Sequence, residues 1–160
     1  MIIRRFCLMA LVLVISACES ASQFPAPGNI AFTFINSEKK LLHDYQGNWL
    51  LINFWSVSCP PCFEEIPDLQ RFYQDGHKVI GVAMPFDRPD SLMAAVKQTK
   101  IDYPVAIDLE GKINQAFDSV TVIPSSFLIN PEGRIVKHFT GKVSYDQLTQ
   151  TIQALTKEHK

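Results

Sequence analysis

The chain has 160 residues, of which 47% are hydrophobic and 11% aromatic, so it is long and apolar enough for a domain with a hydrophobic core. This composition excludes a disordered protein. A formal net charge of -1 without a basic run excludes electrostatic attraction to nucleic acid.

Residues 1–17 have the pattern of a secretory signal peptide. Arg4 and Arg5 precede an apolar run over residues 6–15, which is shorter than the roughly 20 residues of a membrane-spanning helix. The segment ends in Ile-Ser-Ala-Cys at residues 15–18, which resembles the lipobox of bacterial lipoproteins. That resemblance implies cleavage before Cys18 and a diacyl lipid on its thiol. An ordinary cleaved signal peptide with an incidental cysteine is the alternative.

A lipid on Cys18 would anchor the protein to a membrane in the bacterial periplasm. Residues 18–28 would then form a polar, lipidated tether, and residues 29–160 the folded domain. Glu19 differs from the Asp that retains lipoproteins at the inner membrane of enteric bacteria. This difference favours the outer membrane.

The first half of the domain has the pattern of a β-hairpin followed by a strand, a helix and a strand. Residues 30–35 and 40–42 are predicted to form the hairpin. Residues 49–54 and 78–84 are nearly continuous apolar runs, as expected for strands covered on both faces. Apolar residues at helical spacing over 63–73 predict a helix between them. This order implies a right-handed parallel crossover.

The second half continues with alternating helices and strands. A helix capped by Asp90 or Ser91 is expected to reach residue 100, and Ser144 is expected to cap the last helix. Between these helices we predict a short strand at 103–107, a short helix at 111–117, and two strands at 125–129 and 134–140 joined by a tight turn. The order predicts an α/β fold with a mixed central sheet flanked by helices.

Cys59 and Cys62 form a C-x-x-C motif at the predicted strand-to-helix junction. Cys7 would leave with the signal peptide and Cys18 would carry lipid, so this pair holds the free thiols of the mature protein. At a helix N-terminus, the helix dipole and free N–H groups favour the Cys59 thiolate. Cys62 could then resolve a mixed disulfide with a partner in the oxidising periplasm.

Pro60 and Pro61 lie between the two cysteines and have no N–H groups, so only the Cys62 N–H can cap the Cys59 sulfur. The thiolate should therefore be stabilised less than in a motif without prolines. This favours a reducing dithiol over a strong oxidant.

A structural disulfide, a zinc site and an inert pair are the alternatives for this motif. A bridge across so short a loop stabilises little, because the loop-closure entropy that it removes is small. A zinc site needs further nitrogen or sulfur ligands, and the spacing of His43, His77, His138 and His159 does not supply them. Redox activity is favoured, and no metal or cofactor is predicted.

Two stretches carry a family resemblance. Residues 53–67, NFWSVSCPPCFEEIP, resemble the active-site signature of the TlpA/ResA-like branch of the thioredoxin superfamily. Residues 123–133, IPSSFLINPEG, resemble the second signature of that branch. The resemblance implies a thioredoxin-like fold with an N-terminal β-hairpin and a central α/β insert. It also implies that Cys59 attacks a substrate disulfide and Cys62 resolves the product.

The same resemblance assigns substrate-binding residues near the dithiol. Pro124 would follow a cis peptide bond and face the dithiol. The backbone of Ile123 would turn outward and pair with a substrate peptide. Trp55 would lie beside the active site, although taken alone it could equally belong to the core.

Glu65 matches an acidic residue of ResA-like proteins and falls on the same helical face as Cys62. Burial would raise its pKa and suit it to proton transfer, whereas a solvated carboxylate is the alternative. Thioredoxins themselves have a buried Asp where this chain has Asn53, which makes Glu65 the better acid/base candidate. Ser58 stands where the family usually has Trp, so an apolar surface beside Cys59 is missing.

These features predict a monomeric, membrane-tethered thiol:disulfide oxidoreductase that reduces disulfides of exported proteins. The resemblance implies cytochrome c maturation as one route, and a membrane-embedded thiol carrier as the electron donor. A thiol peroxidase and a metallochaperone are alternatives on the same fold. The peroxidase would need a Thr at the position of Ser56, and the copper chaperone a C-x-x-x-C spacing with a distal His.

Overall fold

A computed structural model describes residues 24–28 and 30–158 of the chain. The predicted signal peptide, residues 1–17, and the predicted lipidation site, Cys18, lie outside the described residues. The same holds for the first part of the predicted tether, residues 18–23. Within the described ranges, no helix has both the length and the apolar character needed to cross a membrane.

The described chain alternates strands and helices. The strands are β1 (Phe24–Pro25), β2 (Ala31–Thr33), β3 (Lys39–Leu41), β4 (Leu50–Trp55), β5 (Lys78–Ala83), β6 (Val105–Ile107), β7 (Ser125–Ile129) and β8 (Arg134–Thr140). The α-helices are α1 (Pro60–Gln74), α2 (Pro89–Thr99), α3 (Lys112–Ala116) and α4 (Tyr145–Glu158), and a 3₁₀ helix covers Leu42–Tyr45.

One mixed sheet has the strand order β1-β8-β7-β4-β5-β6. β4, β5 and β6 are parallel neighbours, whereas β7 pairs antiparallel with both β4 and β8. The parallel pairing of β4 with β5 confirms the predicted crossover through α1. The elements α2, β6 and α3 supply the predicted central α/β insert. The fold is the mixed α/β fold that the element pattern predicts, in the thioredoxin-like arrangement that the resemblance implies.

The central strand β4 is buried along its whole length, as its apolar sequence predicts. Leu51 and Trp55 belong to the core that includes residues of α1, α2 and α4. Leu50 and Phe54 belong to the opposite core, with the hairpin and α3. Because side chains alternate along a strand, Asn53 projects toward the face that α1 covers. This placement brings a polar side chain under the helix that carries the cysteines.

The N-terminal hairpin is confirmed, since β2 and β3 pair antiparallel in a separate two-stranded sheet. Ahead of it, Phe24 pairs with Ile135 and Pro25 with Arg134, within the segment predicted to be a tether. An edge strand tolerates proline because one side of it needs no N–H donor. β1 therefore adds an edge strand to the sheet from residues of the predicted tether.

The predicted start of α2 is wrong. Arg88 is the N-cap and Pro89 is the first helical residue, so the helix begins before Asp90 and Ser91. Proline suits this position because its ring fixes a helical φ and the missing N–H would have had no partner.

Candidate active site

The two cysteines lie at the end of the sheet where β4 leads into α1. β4 ends at Trp55, and Cys59 is the N-cap of α1, followed by Pro60 and Pro61. The prolines are tolerated because the first N–H groups of a helix have no partner within it. Cys59 and Cys62 form a disulfide, with 2.08 Å between the sulfurs and 5.4 Å between the Cα atoms.

The two sulfurs differ in exposure and in backbone contacts. Cys59 is 7% exposed and Cys62 is 1% exposed, which suits an attacking and a resolving thiol respectively. The Cys62 N–H donates to the carbonyl oxygen of Cys59 at 3.0 Å, and the Cys59 side chain takes no cap hydrogen bond. In the disulfide the backbone carbonyl of Cys59 takes the Cys62 N–H, and the cap on the Cys59 thiolate stays a prediction.

The peptide bond between Ile123 and Pro124 is cis, as predicted. Pro124 directly precedes β7, whose first residue Ser125 pairs with Phe54 near the end of β4. The sheet register thus places Pro124 at the same end as the dithiol. Pro124 is buried and Ile123 half-buried, and the Gly141 N–H donates to the Pro124 carbonyl oxygen at 2.8 Å. Substrate pairing through Ile123 stays a prediction.

Glu65 is buried, with only 1% of its surface exposed. Its Oε1 accepts a hydrogen bond from Asn53 Nδ2 at 2.8 Å, and its Oε2 accepts one from the Val143 N–H at 3.0 Å. Burial raises the pKa of Glu65 to about 7, although both hydrogen bonds and the charge of Lys142 oppose the rise. A solvated carboxylate is thereby excluded. A carboxyl group with this pKa can accept or donate a proton at neutral pH.

Asn53 connects Glu65 to the strand that follows Pro124. Its Nδ2 also donates to Ser126 Oγ at 3.0 Å, and all three side chains are buried. A second connection runs through residues 141–143. The Gly141 N–H donates to the Pro124 carbonyl oxygen, and the Val143 N–H donates to Glu65. The acid on α1 and the loop before β7 are therefore held in one hydrogen-bonded unit.

Trp55 packs behind the dithiol instead of facing solvent. It is 2% exposed, and its ring meets that of Phe63 edge to face, with 5.9 Å between centroids. A Cβ atom at Gly81 would lie 3.1 Å from Trp55 Nε1 and 3.2 Å from Tyr103 Cε2, so glycine lets the indole lie against β5. This position supports the start of α1, and the predicted part of Trp55 in substrate binding stays a prediction.

Asp87, which lies in the loop after β5, was not predicted as a site residue. Its carboxylate is 6% exposed and accepts hydrogen bonds from the Ser56 hydroxyl at 2.8 Å and the Val57 N–H at 3.2 Å. The Ser58 hydroxyl lies 2.9 Å from that of Ser56. A signal was available, since the carboxyl ends of parallel neighbouring strands meet at one edge of a sheet and often carry the site. Asp87 follows β5 as Cys59 follows β4.

Within the described ranges, no group of three or more His, Cys, Asp or Glu side chains is arranged to hold a metal ion. Two of the histidines are packing residues. His77 stacks on Phe72 and His138 on Phe127, with 4.2 and 4.1 Å between ring centroids. Burial lowers the pKa of both histidines.

Known proteins with similar sequences include thiol-disulfide oxidoreductases. The AhpC/TSA family matches residues 21–138. The thiol-disulfide oxidoreductase ResA of Bacillus thuringiensis is 31% identical over 133 residues, which cover 80% of this chain and 75% of ResA. ResA of Bacillus subtilis is 29% identical over 135 residues, which cover 82% of this chain and 74% of ResA. The resemblance to ResA-like proteins is confirmed.

Solved structures show the same fold. StoA from Bacillus subtilis matches with a TM-score of 0.68 and 28% identity, over 79% of this chain and 98% of StoA. A DsbF homologue from Corynebacterium diphtheriae matches with a TM-score of 0.75 and 23% identity, over 85% of this chain and 89% of the homologue. The chain therefore belongs to the AhpC/TSA family and is a thiol-disulfide oxidoreductase of thioredoxin fold.

Proposed function

We propose that this protein is a lipid-anchored reductase of disulfides in exported proteins. The observation that carries the proposal is the Cys59–Cys62 pair at the start of α1, with Glu65 buried one turn further along the helix. The lipobox-like sequence at Cys18 supports a membrane anchor in the periplasm, and Glu19 favours the outer membrane.

The reduced protein would act through two thiol–disulfide exchanges. The Cys59 thiolate attacks one sulfur of the substrate disulfide, and the other substrate sulfur leaves as a thiolate that takes up a proton. Cys62 then loses its proton and attacks the Cys59 sulfur, which closes the disulfide and releases the second substrate thiolate. Two electrons pass to the substrate, and a thiol donor must return them to the dithiol.

Glu65 supports the second exchange as a proton acceptor. It lies on the same face of α1 as Cys62, three residues further on. With a pKa of about 7, part of the Glu65 population is ionised at neutral pH. The carboxylate would take the proton of the Cys62 thiol as that sulfur attacks, and would then pass it to the leaving thiolate.

The start of α1 favours reduction over oxidation. Pro60 and Pro61 have no N–H groups, and the Cys62 N–H is bonded to the carbonyl oxygen of Cys59. The helix therefore offers the Cys59 thiolate few donors. A less stabilised thiolate makes the dithiol less stable relative to the disulfide, so the couple becomes a better reductant.

The loop at Pro124 supports substrate docking. The backbone of Ile123 would pair with an extended substrate segment, and Trp55 would support the dithiol from behind. The substrates would be exported proteins that contain disulfides, with cytochrome c maturation as one route. The protein would act as a monomer, with a membrane-embedded thiol carrier as its electron donor.

Reduction of insulin by the purified protein, with dithiothreitol as the electron source, tests this function. We expect Cys59→Ser to abolish reduction and Cys62→Ser to accumulate a mixed disulfide. Full activity of Cys59→Ser would overturn the assignment of the site. A reduction potential near about -120 mV, as in a strong oxidant, would overturn the reductive direction.

The same preparation separates the alternatives. A thiol peroxidase would consume hydrogen peroxide in the presence of the thiol donor, and a metallochaperone would bind copper(I) in a titration. Ser56 occupies the position where a peroxidase needs Thr, and its hydroxyl donates to Asp87. We expect neither activity.

A further inference from the structure

The turn that leads into Cys59 is tied to a buried carboxylate from another loop. Asp87, between β5 and α2, accepts from the Ser56 hydroxyl at 2.8 Å and from the Val57 N–H at 3.2 Å. Ser56 is fully buried, and Asp87 is 6% exposed. The Cys59 N–H donates to the Ser56 carbonyl oxygen at 3.1 Å, so the held segment ends at the reactive cysteine.

The hydrogen bonds also fix the direction in which the serine hydroxyls point. A carboxylate only accepts hydrogen bonds, so the Ser56 hydroxyl donates to Asp87. Ser56 Oγ is then free to accept from the Ser58 N–H at 3.1 Å and from the Ser58 hydroxyl at 2.9 Å. A continuous chain of donors thus runs from exposed Ser58 inward to Asp87.

The negative charge of Asp87 has no cationic partner among the ion pairs of the described residues. Its neighbour Arg88 instead pairs with Asp90 at 3.1 Å, and both of those side chains are exposed. Water and salt screen a buried charge poorly, so Asp87 acts on charges that form close to it. The Cys59 thiolate forms on reduction and disappears in the disulfide, and Cys59 follows two residues after Val57, whose N–H donates to Asp87.

We propose that Asp87 is a positioning residue that also sets the reduction potential of the Cys59–Cys62 couple. The carboxylate holds the turn before Cys59, and its charge disfavours the thiolate. Reduction of the neutral disulfide adds two electrons and two protons, and ionisation of the Cys59 thiol stabilises the product. Because Asp87 weakens that stabilisation, it makes the couple more reducing.

This inference rests on the proposed reductase function and deepens it. It also gives a reason for Ser58, at a position where the resemblance leads one to expect Trp. The Ser58 hydroxyl and N–H both donate to Ser56 Oγ, so Ser58 extends the chain of donors that reaches Asp87. An indole at this position could not supply the hydroxyl donor.

Asp87→Asn separates charge from shape, since the amide has nearly the same size and still forms hydrogen bonds. In redox equilibrium with glutathione, we expect the ratio of reduced to oxidised protein to be about tenfold higher in this variant than in the wild type. This ratio corresponds to a reduction potential that is about 30 mV higher. Asp90→Asn is the matched control, because it removes the same charge from an exposed side chain of the same region. Its potential should equal that of the wild type.

Ser56→Ala should shift the equilibrium in the opposite direction. Without the hydroxyl donor, the Asp87 charge is less compensated, so the couple should become more reducing. If Asp87 had only a structural role, both variants would have a lower melting temperature, but their reduction potentials would not shift in opposite directions. An unchanged potential in Asp87→Asn, or shifts of the same sign in the two variants, would overturn the proposal.

The two proposals fail separately. If Asp87→Asn does not fold, Ser56→Ala alone tests the proposal. A reduction potential in Ser56→Ala that does not fall below the wild-type value then overturns the role of Asp87. If the wild type reduces insulin and Asp87→Asn keeps the wild-type potential, only the role of Asp87 is lost. If the wild type reduces no disulfide, the reductase function is lost whatever the potentials are.

Discussion

Asn53 Nδ2 donates a hydrogen bond of 2.8 Å to Glu65 Oε1, and both side chains are buried. The amide carries no charge, so it orients the carboxylate without pairing with it as a cation would. Burial therefore dominates and raises the pKa of Glu65 to about 7. Glu65 therefore changes its charge in the neutral pH range, where thiol–disulfide exchange takes place.

Glu65→Gln should slow the resolution of the mixed disulfide about a hundredfold, because general acid–base catalysis typically contributes at least that much. In the wild type, the resolution rate should rise with pH through an inflection near pH 7, as the carboxylate forms. Stopped-flow measurements between pH 5 and 9 would record both effects. Glu110→Gln, at an exposed position, is the control. An inflection that survives in Glu65→Gln would rule out this carboxylate as the proton acceptor.

Glu65 should also make stability depend on pH. Its pKa is about 7 in the folded protein against an ordinary value of 4.5, so the folded protein keeps this proton while the unfolded chain releases it. The free energy of unfolding should therefore fall as pH rises from 4.5 to 7, by about 3 kcal/mol from this group. Denaturant titrations across this range should show a flatter dependence in Glu65→Gln. An equal slope in both proteins would contradict the buried-acid interpretation.

The sequence was sufficient for features that depend on local pattern. The bounds of β7 and β8 agree with the prediction, because two apolar runs flank a turn of Asn, Pro, Glu and Gly. The C-x-x-C motif at a strand-to-helix junction was likewise local, and it placed Cys59 at the N-cap of α1. Only the family resemblance gave the cis bond before Pro124, since most X-Pro bonds are trans.

The contacts that control the dithiol could not be predicted in this way. Asp87 and Ser56 are 31 residues apart, and Val143 and Glu65 are 78 apart. These pairs meet because β4, β5 and β7 bring their loops to one end of the sheet. Hydrophobic periodicity reports which faces are buried, but it does not report which loops touch.

Asn53→Asp should destabilise the protein at neutral pH and less so in acid. The substitution puts a second carboxyl group within hydrogen-bonding distance of Glu65 in a buried site, where two like charges cannot both form at low cost. We expect a loss of about 3 kcal/mol at pH 8 and a smaller loss at pH 5, where the pair can share a proton. Asn53→Ala removes the donor without adding charge, so its loss should differ less between the two pH values. Equal losses at both pH values for Asn53→Asp would refute a coupled pair.

Gly81→Ala should disturb the support behind the dithiol. The new methyl group would meet Trp55 Nε1 at 3.1 Å and Tyr103 Cε2 at 3.2 Å, and both rings are buried. Overpacking of this kind costs about 1–3 kcal/mol, so the midpoint of urea unfolding should fall. Gly28→Ala, where nothing lies within 4 Å of the new atom, should leave the midpoint unchanged. A wild-type midpoint for Gly81→Ala would mean that the indole can move aside freely.

Lys142→Gln should move the pH inflection of the resolution rate upward. The Lys142 charge lowers the pKa of Glu65, while its ammonium group forms an exposed ion pair with Glu64. Without that charge the carboxylate is less stable, so a higher pH is needed to ionise it. The difference from the wild type should shrink at 1 M salt, because the ammonium group is exposed and screened. Lys157→Gln, at the opposite end of α4 from Val143, should leave the inflection in place. An inflection that moves downward in Lys142→Gln would show that a different group titrates there.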